Sequence, residues 1–559
     1  MIKVGEQSYL TDKDLQVKVI GFWPRIDIQD EKLKEIFEEK YGRSFLGGDE
    51  IVAYSQSLVA NGMDFARLEQ NILEDVQHEG IDNFGKLLFS KTATGIGRGH
   101  SLGGLSGVNL GMHGTKMIDS GLTGLCSSRS LVTSGRRKVI TLKDIAIPES
   151  VGRDEKLLSE FMKISNDVFN VAADFKEKYG KLGGIEAFNK ILPYNNPGDL
   201  EIVLPLDTLT TIATEVRADN SNLHGRFLPR EIHSLAELIP EITDQVGQGI
   251  MFRQRISVPR DTYLHYNAFT DPSYPNYALE KGQEGGMSLK PRIIDCKKDF
   301  TPGFLKALEE TKKIFEETKK INNSEKLHQE SLKCMQALRT FAGAYNDALR
   351  VDIADTLSFR VWSEQKRHST LRQEVESAYS AAARAYEGVK DIFPTIESAF
   401  SENDSEKIKN VLDLFEKNIE VDARLKEQPE LLIPYMYHTG RQLMFYGKLL
   451  ENGLEPRDAL YIVPRNIRIR TTESYDLVNL IDLEVPLRLC STCESERNKT
   501  TWKKRDAIVG VVPEIEYFLQ PKCNIGFCTE GEYCGRVTSM REYNSELHKQ
   551  TKKVMLNSQ

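Results

Sequence analysis

The run R-V-W-S-E-Q-K-R-H-S-T-L-R-Q-E-V-E-S-A-Y, Arg360 to Tyr379, holds more chemically versatile side chains than any comparable window of the chain. Arg360, Lys366, Arg367, His368 and Arg372 supply cationic donors. Trp362 and Tyr379 supply flat rings, and Glu374, Glu376 and Ser377 supply polar partners. Guanidiniums that fork onto phosphate or carboxylate oxygens, beside rings that stack, suit a nucleotide. The same residues also suit a solvated, salt-bridged helix with one buried tryptophan, so this window alone leaves both readings open.

Around this window lie 559 residues, enough for two to four domains, and 40% hydrophobic content can build real cores. Eight cysteines are too few for a disulfide scaffold in so long a chain. The opening M-I-K-V-G-E-Q-S-Y-L lacks the apolar run of a signal peptide, so a reduced, cytoplasmic setting is expected. No stretch approaches the roughly 20 apolar residues of a membrane helix. With 74 Lys+Arg against 82 Asp+Glu the formal charge is -8, which argues against a general nucleic-acid coat protein.

Asp30 to Tyr41 places Leu33, Ile36, Phe37 and Tyr41 on one helical face, and residues 1 to about 95 read as mainly helical. Thr94 to Gly124 is glycine-rich and reads as backbone that approaches either a ligand phosphate or a packed neighbour. Glu201 to Asp219 reads as an apolar strand or helix start broken by Pro205. Residues 281 to 303 read as a linker, followed by a helix after Pro302 with an apolar stripe of Leu305, Leu308 and Ile314. Long helices are expected over Ser377 to Ile392, Glu406 to Leu425 and Leu431 to Leu450. Tyr461 to Thr472 is strand-like or irregular, and Arg465, Arg468 and Arg470 form a local cationic strip there.

Arg367-His368-Ser369-Thr370-Leu371-Arg372, followed after four residues by Ser377-Ala378-Tyr379, resembles the R-H-R-x-x-S-x-x-x-x-S-x-R signature of flavin-dependent thymidylate synthases. Ser369, Arg372 and Tyr379 depart from it, standing for Arg, Ser and Arg. Val203-Leu204-Pro205-Leu206-Asp207 looks like the family's V-L-P-L-N segment. Gly453 to Asn466 looks like G-x-x-x-E-x-A-R-x-x-L-P-x-N, with Leu460 or Tyr461 in place of the family Arg and Arg457 or Arg465 as substitutes. Leu487 to Arg497 resembles L-R-x-x-x-x-A-Q-x-E-I-R, with Arg488 and Glu496 at matching spacing. Pro521 to Gly535 looks like a cysteine-bearing ending of some members. These matches cover about Arg360 to Gly535 in family order, and weaker echoes (Gly99-His100-Ser101, Ser127 to Arg137, then V-L-P-L-D) run in the same order through the first half.

The resemblance implies an α+β fold in which each unit is a small sheet flanked by long helices, with two such units in tandem. The expected divisions are 1–285 for a diverged first repeat, 286–330 for a linker and helix, and 331–559 for the second unit with its cysteine-containing tail. It further implies conversion of dUMP to dTMP with methylenetetrahydrofolate as carbon donor and FAD, reduced by NADPH, as hydride source. By carry-over, Arg367, His368 and Ser369 bind the flavin. Arg360, Glu376, Ser377, Tyr379, Arg465 and Arg488 bind the substrate, and Arg488 also acts catalytically by polarising the nucleotide. A homo-oligomer is expected, a dimer of tandem units imitating the family's tetramer. Separately, Cys490, Cys493, Cys523, Cys528 and Cys534 supply enough thiols for a structural zinc or remain unligated. The alternatives are a nucleotide- or flavin-binding relative without turnover, and a nucleic-acid-binding helical protein using the arginine strip and Lys503-Lys504-Arg505.

Overall fold

Each of two four-stranded sheets is built on a nine-residue antiparallel pairing of its two middle strands. The computed structural model describes residues 1–61, 67–97, 107–115, 130–133, 145–179, 189–194, 197–205, 227–246, 289–321, 324–365, 370–491 and 493–525, with isolated positions between 209 and 220 and at 269 and 280. The strands of the two four-stranded sheets are β1 (Gln16–Trp23), β2 (Gly107–Thr115), β3 (Ser130–Thr133), β4 (Pro197–Pro205), β5 (Arg292–Lys298), β6 (Leu349–Ser358), β7 (Arg372–Val375) and β8 (Arg468–Asp476). The helices used below are α1 (Arg230–Gln245), α2 (Pro302–Thr318), α3 (Ser324–Ala344), α4 (Phe359–Gln365), α5 (Ala378–Lys390), α6 (Phe393–Glu402), α7 (Pro429–Glu451), α8 (Leu477–Ile481), α9 (Glu484–Arg488) and α10 (Ser495–Val511). The fold is α+β with small antiparallel sheets. Among the described residues no helix is long and apolar enough to cross a membrane.

The chain divides into two compact units, the first formed by 1–274, 377–408 and 430–465, the second by 275–376, 409–429 and 466–559. In the first unit the sheet order is β1-β2-β4-β3, and every pairing is antiparallel. Val108, Leu110 and Met112 of β2 and Leu204 of β4 pack with Ile232, Leu235, Ile239 and Ile242 of α1. A second core in this unit gathers Leu33, Phe37, Ile72, Val76, Phe84 and Leu88. Its first helix is capped by Asp30, whose carboxylate accepts from Leu33 N at 2.9 Å.

In the second unit the order is β5-β6-β8-β7, again all antiparallel. Phe304, Leu308 and Phe315 of α2 and Leu338 and Phe341 of α3 pack with Val351, Ile353, Tyr475, Leu480 and Ile508. Thr301 caps α2 through a 3.1 Å bond from Phe304 N, and Pro302 stands at its first turn, where the missing N–H costs nothing.

Taken in chain order, first to fourth strand, the two sheets have the same arrangement, first-second-fourth-third. The likeness extends to register. Gly107–Thr115 pairs with Pro197–Pro205 over nine residues, and Arg350–Ser358 pairs with Arg468–Asp476 over nine. The third strand pairs four residues in each case, Ser130–Thr133 with Leu200–Val203 and Arg372–Val375 with Thr471–Ser474. Each first strand carries one extra residue, Ile20 and Ile294, where its register against the second strand shifts.

Several local expectations are corrected. Part of the glycine-rich stretch is the strand β2, because pairing on both sides supplies the order that its sequence does not; a Cβ at Gly107 would run into the Trp23 ring and lie 2.7 Å from the Leu204 carbonyl. The first 46 residues include β1, a short hairpin (Ile2–Val4 with Gln7–Tyr9) and a two-residue pairing of Ile26–Asp27 with Phe45–Leu46. The stretch read as a linker contains β5. On α2 the buried face is Phe304, Leu308, Thr311, Phe315 and Thr318, whereas Leu305 and Ile314 are exposed, since the two phenylalanines set the helix phase. The segment expected as one helix from Glu406 to Leu425 is broken into Ser405–Glu416 and Ala423–Lys426, where Ile419 bridges to Ile467.

Candidate functional site

Alternation along β6 and β8 points Ile353, Asp355, Glu473 and Tyr475 to the face covered by α10. Along α10, Arg497, Thr501, Lys504 and Ile508 recur at helical spacing on the buried side. Lys504 therefore lands among carboxylates: its Nζ lies 2.9 Å from Asp355 Oδ2 and 2.5 Å from Glu473 Oε2. Glu473 also accepts from Tyr475 Oη at 2.6 Å and from Gln365 Nε2 at the end of α4. Burial works against the Lys504 ammonium, but the two carboxylates outweigh it and hold its pKa above the ordinary lysine value. Burial pushes the Asp355 carboxyl up, with Lys504 opposing and Glu473 adding to the rise.

Next to this network, the last turn of α9 presents Arg488, whose Nε donates to Glu484 Oε1 at 3.2 Å. Arg497 Nη2 donates to the same oxygen, so one carboxylate serves two buried guanidiniums. Arg497 Nε and Nη1 are buried with no hydrogen-bond partner among the described residues. Glu494 caps α10, accepting from Arg497 N at 2.9 Å, and Asn498 Nδ2 donates to the carbonyls of Arg488 and Cys490, each at 2.9 Å. Glu496 receives the N–H and hydroxyl of Ser358, each at 2.6 Å. The Cys493 thiol is raised by burial against the pull of Arg488 and Arg497, which keeps it protonated. Opposite Glu473 on β7, the Gln373 amide is wholly buried and neither its nitrogen nor its oxygen is bonded among the described residues.

The structure distributes the expected site residues between both units. In the second unit, Arg360 lies in the first turn of α4 and is buried. Glu376 accepts from Arg470 N at 3.1 Å and from its Nη2 at 2.6 Å, and Arg488 stands as described. In the first unit, Ser377 is the N-cap of α5. Tyr379 is buried edge-on against Phe227 and Phe269 and donates to the Phe227 carbonyl at 2.9 Å. Arg465, also buried there, donates to the carbonyls of Leu192 and Asn189 at 3.3 and 3.0 Å. Arg367, His368 and Ser369 lie outside the described residues.

The two rings expected as stacking surfaces are core instead. Trp362 is fully buried with its centroid 5.1 Å from that of Phe359, and Tyr379 is as above. The cationic strip is likewise taken apart by the fold. Arg468 donates to the Glu416 carbonyl at 2.8 Å and pairs with Glu420 at 2.5 Å, Arg470 is held by Glu376, and Arg465 is buried in the first unit. In the basic run, Lys504 is the buried ion described above and Arg505 bonds the Leu519 carbonyl, Asp506 and Glu516. Cys490 and Cys523 are buried and Cys493 is half-buried. Cys528 and Cys534 lie outside the described residues, and among the described residues no three His, Cys, Asp or Glu side chains converge to hold a metal.

Asp355, Glu473, Glu484 and Lys504 carry no motif that would mark them in the sequence. A usable signal was present for Lys504: it is four residues before Ile508 and three after Thr501, on the buried phase of α10.

This part of the second unit thus brings together guanidiniums, a capped helix start and an orphan buried amide, a donor set suited to an anionic, hydrogen-bonding ligand. No family model matches the chain. It is 29% identical over 122 residues to a flavin-dependent thymidylate synthase of Thermococcus kodakarensis, covering 21% of this chain and 49% of that protein. It is 28% identical over 108 residues to a flavin-dependent thymidylate synthase of Sulfurisphaera tokodaii, covering 19% and 38%. The chain spans about half or less of the length of these curated relatives, a distant relationship to that class of enzyme.

Proposed function

We propose that this chain is a flavin-dependent thymidylate synthase, methylating dUMP to dTMP with methylenetetrahydrofolate as carbon donor, and that it consists of two tandem units of that family. The observation that carries the activity is the partial match to two such synthases. The shared strand order, nine-residue registers and extra isoleucine of the two sheets support the tandem reading, in which the stretch 286–330 belongs to the second unit because β5 and α2 lie in its sheet and core.

The orphan Gln373 amide and the unpartnered Arg497 nitrogens fit a nucleotide or flavin better than an apolar ligand, because buried polar groups left unpaired are costly. In this reading Arg367, His368 and Ser369 hold the FAD, which when reduced by NADPH supplies the hydride. Ser377 and Glu376 orient the dUMP phosphate end, with Arg360 and Arg465 supporting the substrate side, while Tyr379 stays in the core. Arg488 holds the pyrimidine and stabilises negative charge as it develops on a carbonyl oxygen. Its pairing with Glu484 fixes the guanidinium, so little reorganisation remains for the reaction. The protein works as a homo-oligomer; zinc stays a separate proposal for the cysteine-rich tail.

A second reading, a relative that binds ligand without turnover, is favoured by Tyr379: where the family carries a substrate Arg, this ring is core. The test is the visible spectrum of the purified protein, followed by titration with dUMP and an assay for dTMP. Flavin bands that shift with dUMP and dTMP formation support the synthase. Shifted bands without product support the second reading. A colourless protein that takes up neither FAD nor dUMP defeats both.

A further inference from the structure

Arg488 is carried by a helix that cannot fix it alone. α9 is five residues long, from Glu484 to Arg488, and Leu483 at its N-cap makes no side-chain capping bond. A helix that short is marginal by itself, because few of its backbone bonds close within it. α10, next in the chain, is the opposite: seventeen residues, with the Glu494 carboxylate accepting from Arg497 N at 2.9 Å at its start. Two side chains of its first turn reach back to the region of α9. Asn498 Nδ2 holds the carbonyls of Arg488 and Cys490, each at 2.9 Å, and Arg497 Nη2 donates to Glu484 Oε1.

The Arg497 contact is the unusual one. Glu484 Oε1 also accepts from Arg488 Nε at 3.2 Å, so one oxygen joins the two guanidiniums. The Arg497 side chain is only 3% exposed, yet its Nε and Nη1 have no hydrogen-bond partner among the described residues. Buried donors left open cost stability. Replacing a buried ion pair by apolar residues of similar volume is often neutral or stabilising, so folding alone does not call for a carboxylate and a guanidinium here. What this pair does, and an apolar pair could not, is hold a second guanidinium in one direction. The Asn498 bonds set where the Arg488 backbone lies, and Glu484 sets where its side chain goes.

We propose that Arg497 and Glu484 are positioning residues for Arg488: Arg497 pins the carboxylate, and the carboxylate fixes the Arg488 guanidinium ahead of any ligand. That this ligand is dUMP rests on the synthase reading; the positioning does not. A guanidinium set beforehand loses less freedom when it meets an anionic or carbonyl oxygen, and preorganisation of this kind adds affinity.

The test replaces the pair by apolar residues, Glu484→Leu with Arg497→Met, and follows each arginine by its reaction with phenylglyoxal, mapped by mass spectrometry. Exposed Arg153 is the internal reference. The double variant is expected to unfold cooperatively at a Tm within a few degrees of wild type. Its Arg488 is modified at least about tenfold faster while Arg153 keeps its rate, since protection follows local opening. Arg497→Met alone, which leaves Glu484 to Arg488, is expected to raise the Arg488 rate at least about threefold at unchanged Tm. With flavin bound, the double variant needs at least about tenfold more dUMP for the same spectral change. Wild-type Arg488 rates in either folded variant overturn the proposal. So does a wild-type Arg488 that reacts as fast as Arg153. A wild-type protein that takes up neither FAD nor dUMP counts against the synthase reading, while the phenylglyoxal rates still decide the positioning.

Discussion

Lys504 Nζ stands between Asp355 Oδ2 at 2.9 Å and Glu473 Oε2 at 2.5 Å, one cation shared by two carboxylates, all three excluded from solvent. Removing the cation alone leaves two buried carboxylates with no cation between them, although Glu473 keeps its bonds from Tyr475 and Gln365. Lys504→Met is therefore expected to destabilise the protein by about 3–5 kcal/mol, read from urea or guanidinium unfolding, because breaking a buried pair costs far more than replacing it whole. A loss below about 1 kcal/mol would show that water reaches these carboxylates.

His438 on α7 is buried beside the Phe400 and Tyr437 rings, and burial, helped by Arg441, lowers its pKa to about 4. An unfolded histidine takes up its proton near pH 6.5, so between that pH and about 4 the unfolded state binds more protons. Stability is complete above the upper value and falls as pH drops through the window, by roughly 3 kcal/mol in all. His438→Gln should flatten this part of the pH–stability curve. An unchanged slope in the variant assigns the acid loss to other groups.

Gly440 lets α7 approach α6. A Cβ there would lie 2.5 Å from Phe393 Cδ2 and 2.8 Å from Cε2, and Phe393 is itself stacked near Tyr437. Gly440→Ala gains helix propensity but must push the ring aside, and a net loss of about 1–3 kcal/mol is expected in thermal or denaturant unfolding. Gly510 on α10 is the matched control, since a Cβ there would meet open space; Gly510→Ala should be neutral or stabilising.

Arg488 shares Glu484 with Arg497, so Arg488→Ala leaves the carboxylate paired and the unit folded. Under the synthase reading the variant keeps its flavin bands but loses the dUMP-induced change, with dTMP formation reduced about 100-fold or more, the scale for removing one charge-stabilising donor. Full activity in Arg488→Ala would remove this residue from the site.

Much of the architecture was legible locally. The apolar face of Asp30 to Tyr41 announced the first helix, Pro302 announced the start of α2, and the long helices around α5 and α7 were expected over nearly their observed spans. β2 was hidden because glycine carries no strand signal of its own. β2 exists through nine pairs with β4 and a further set with β1. The candidate site was legible at Arg488 and Glu496 through motif spacing. Its carboxylates were not, since an aspartate in a strand looks alike whether it faces water or a buried lysine.

The sequence by itself determined the mixed helix and strand content, the order of the motif-bearing segments and the cations available to a ligand, because these depend on composition and short-range periodicity. Only the tertiary structure decided which of those cations are engaged within the fold. Arg465, Arg468 and Arg470, adjacent in sequence, are each taken by a different carbonyl or carboxylate from elsewhere in the chain. Lys504, one charge in a basic run, is buried because helix phase turns it toward two strands whose register sets Asp355 and Glu473 on the same face. A charge's fate depends on its partners' distance in space, and residues 31 and 149 positions away along the chain supply them here.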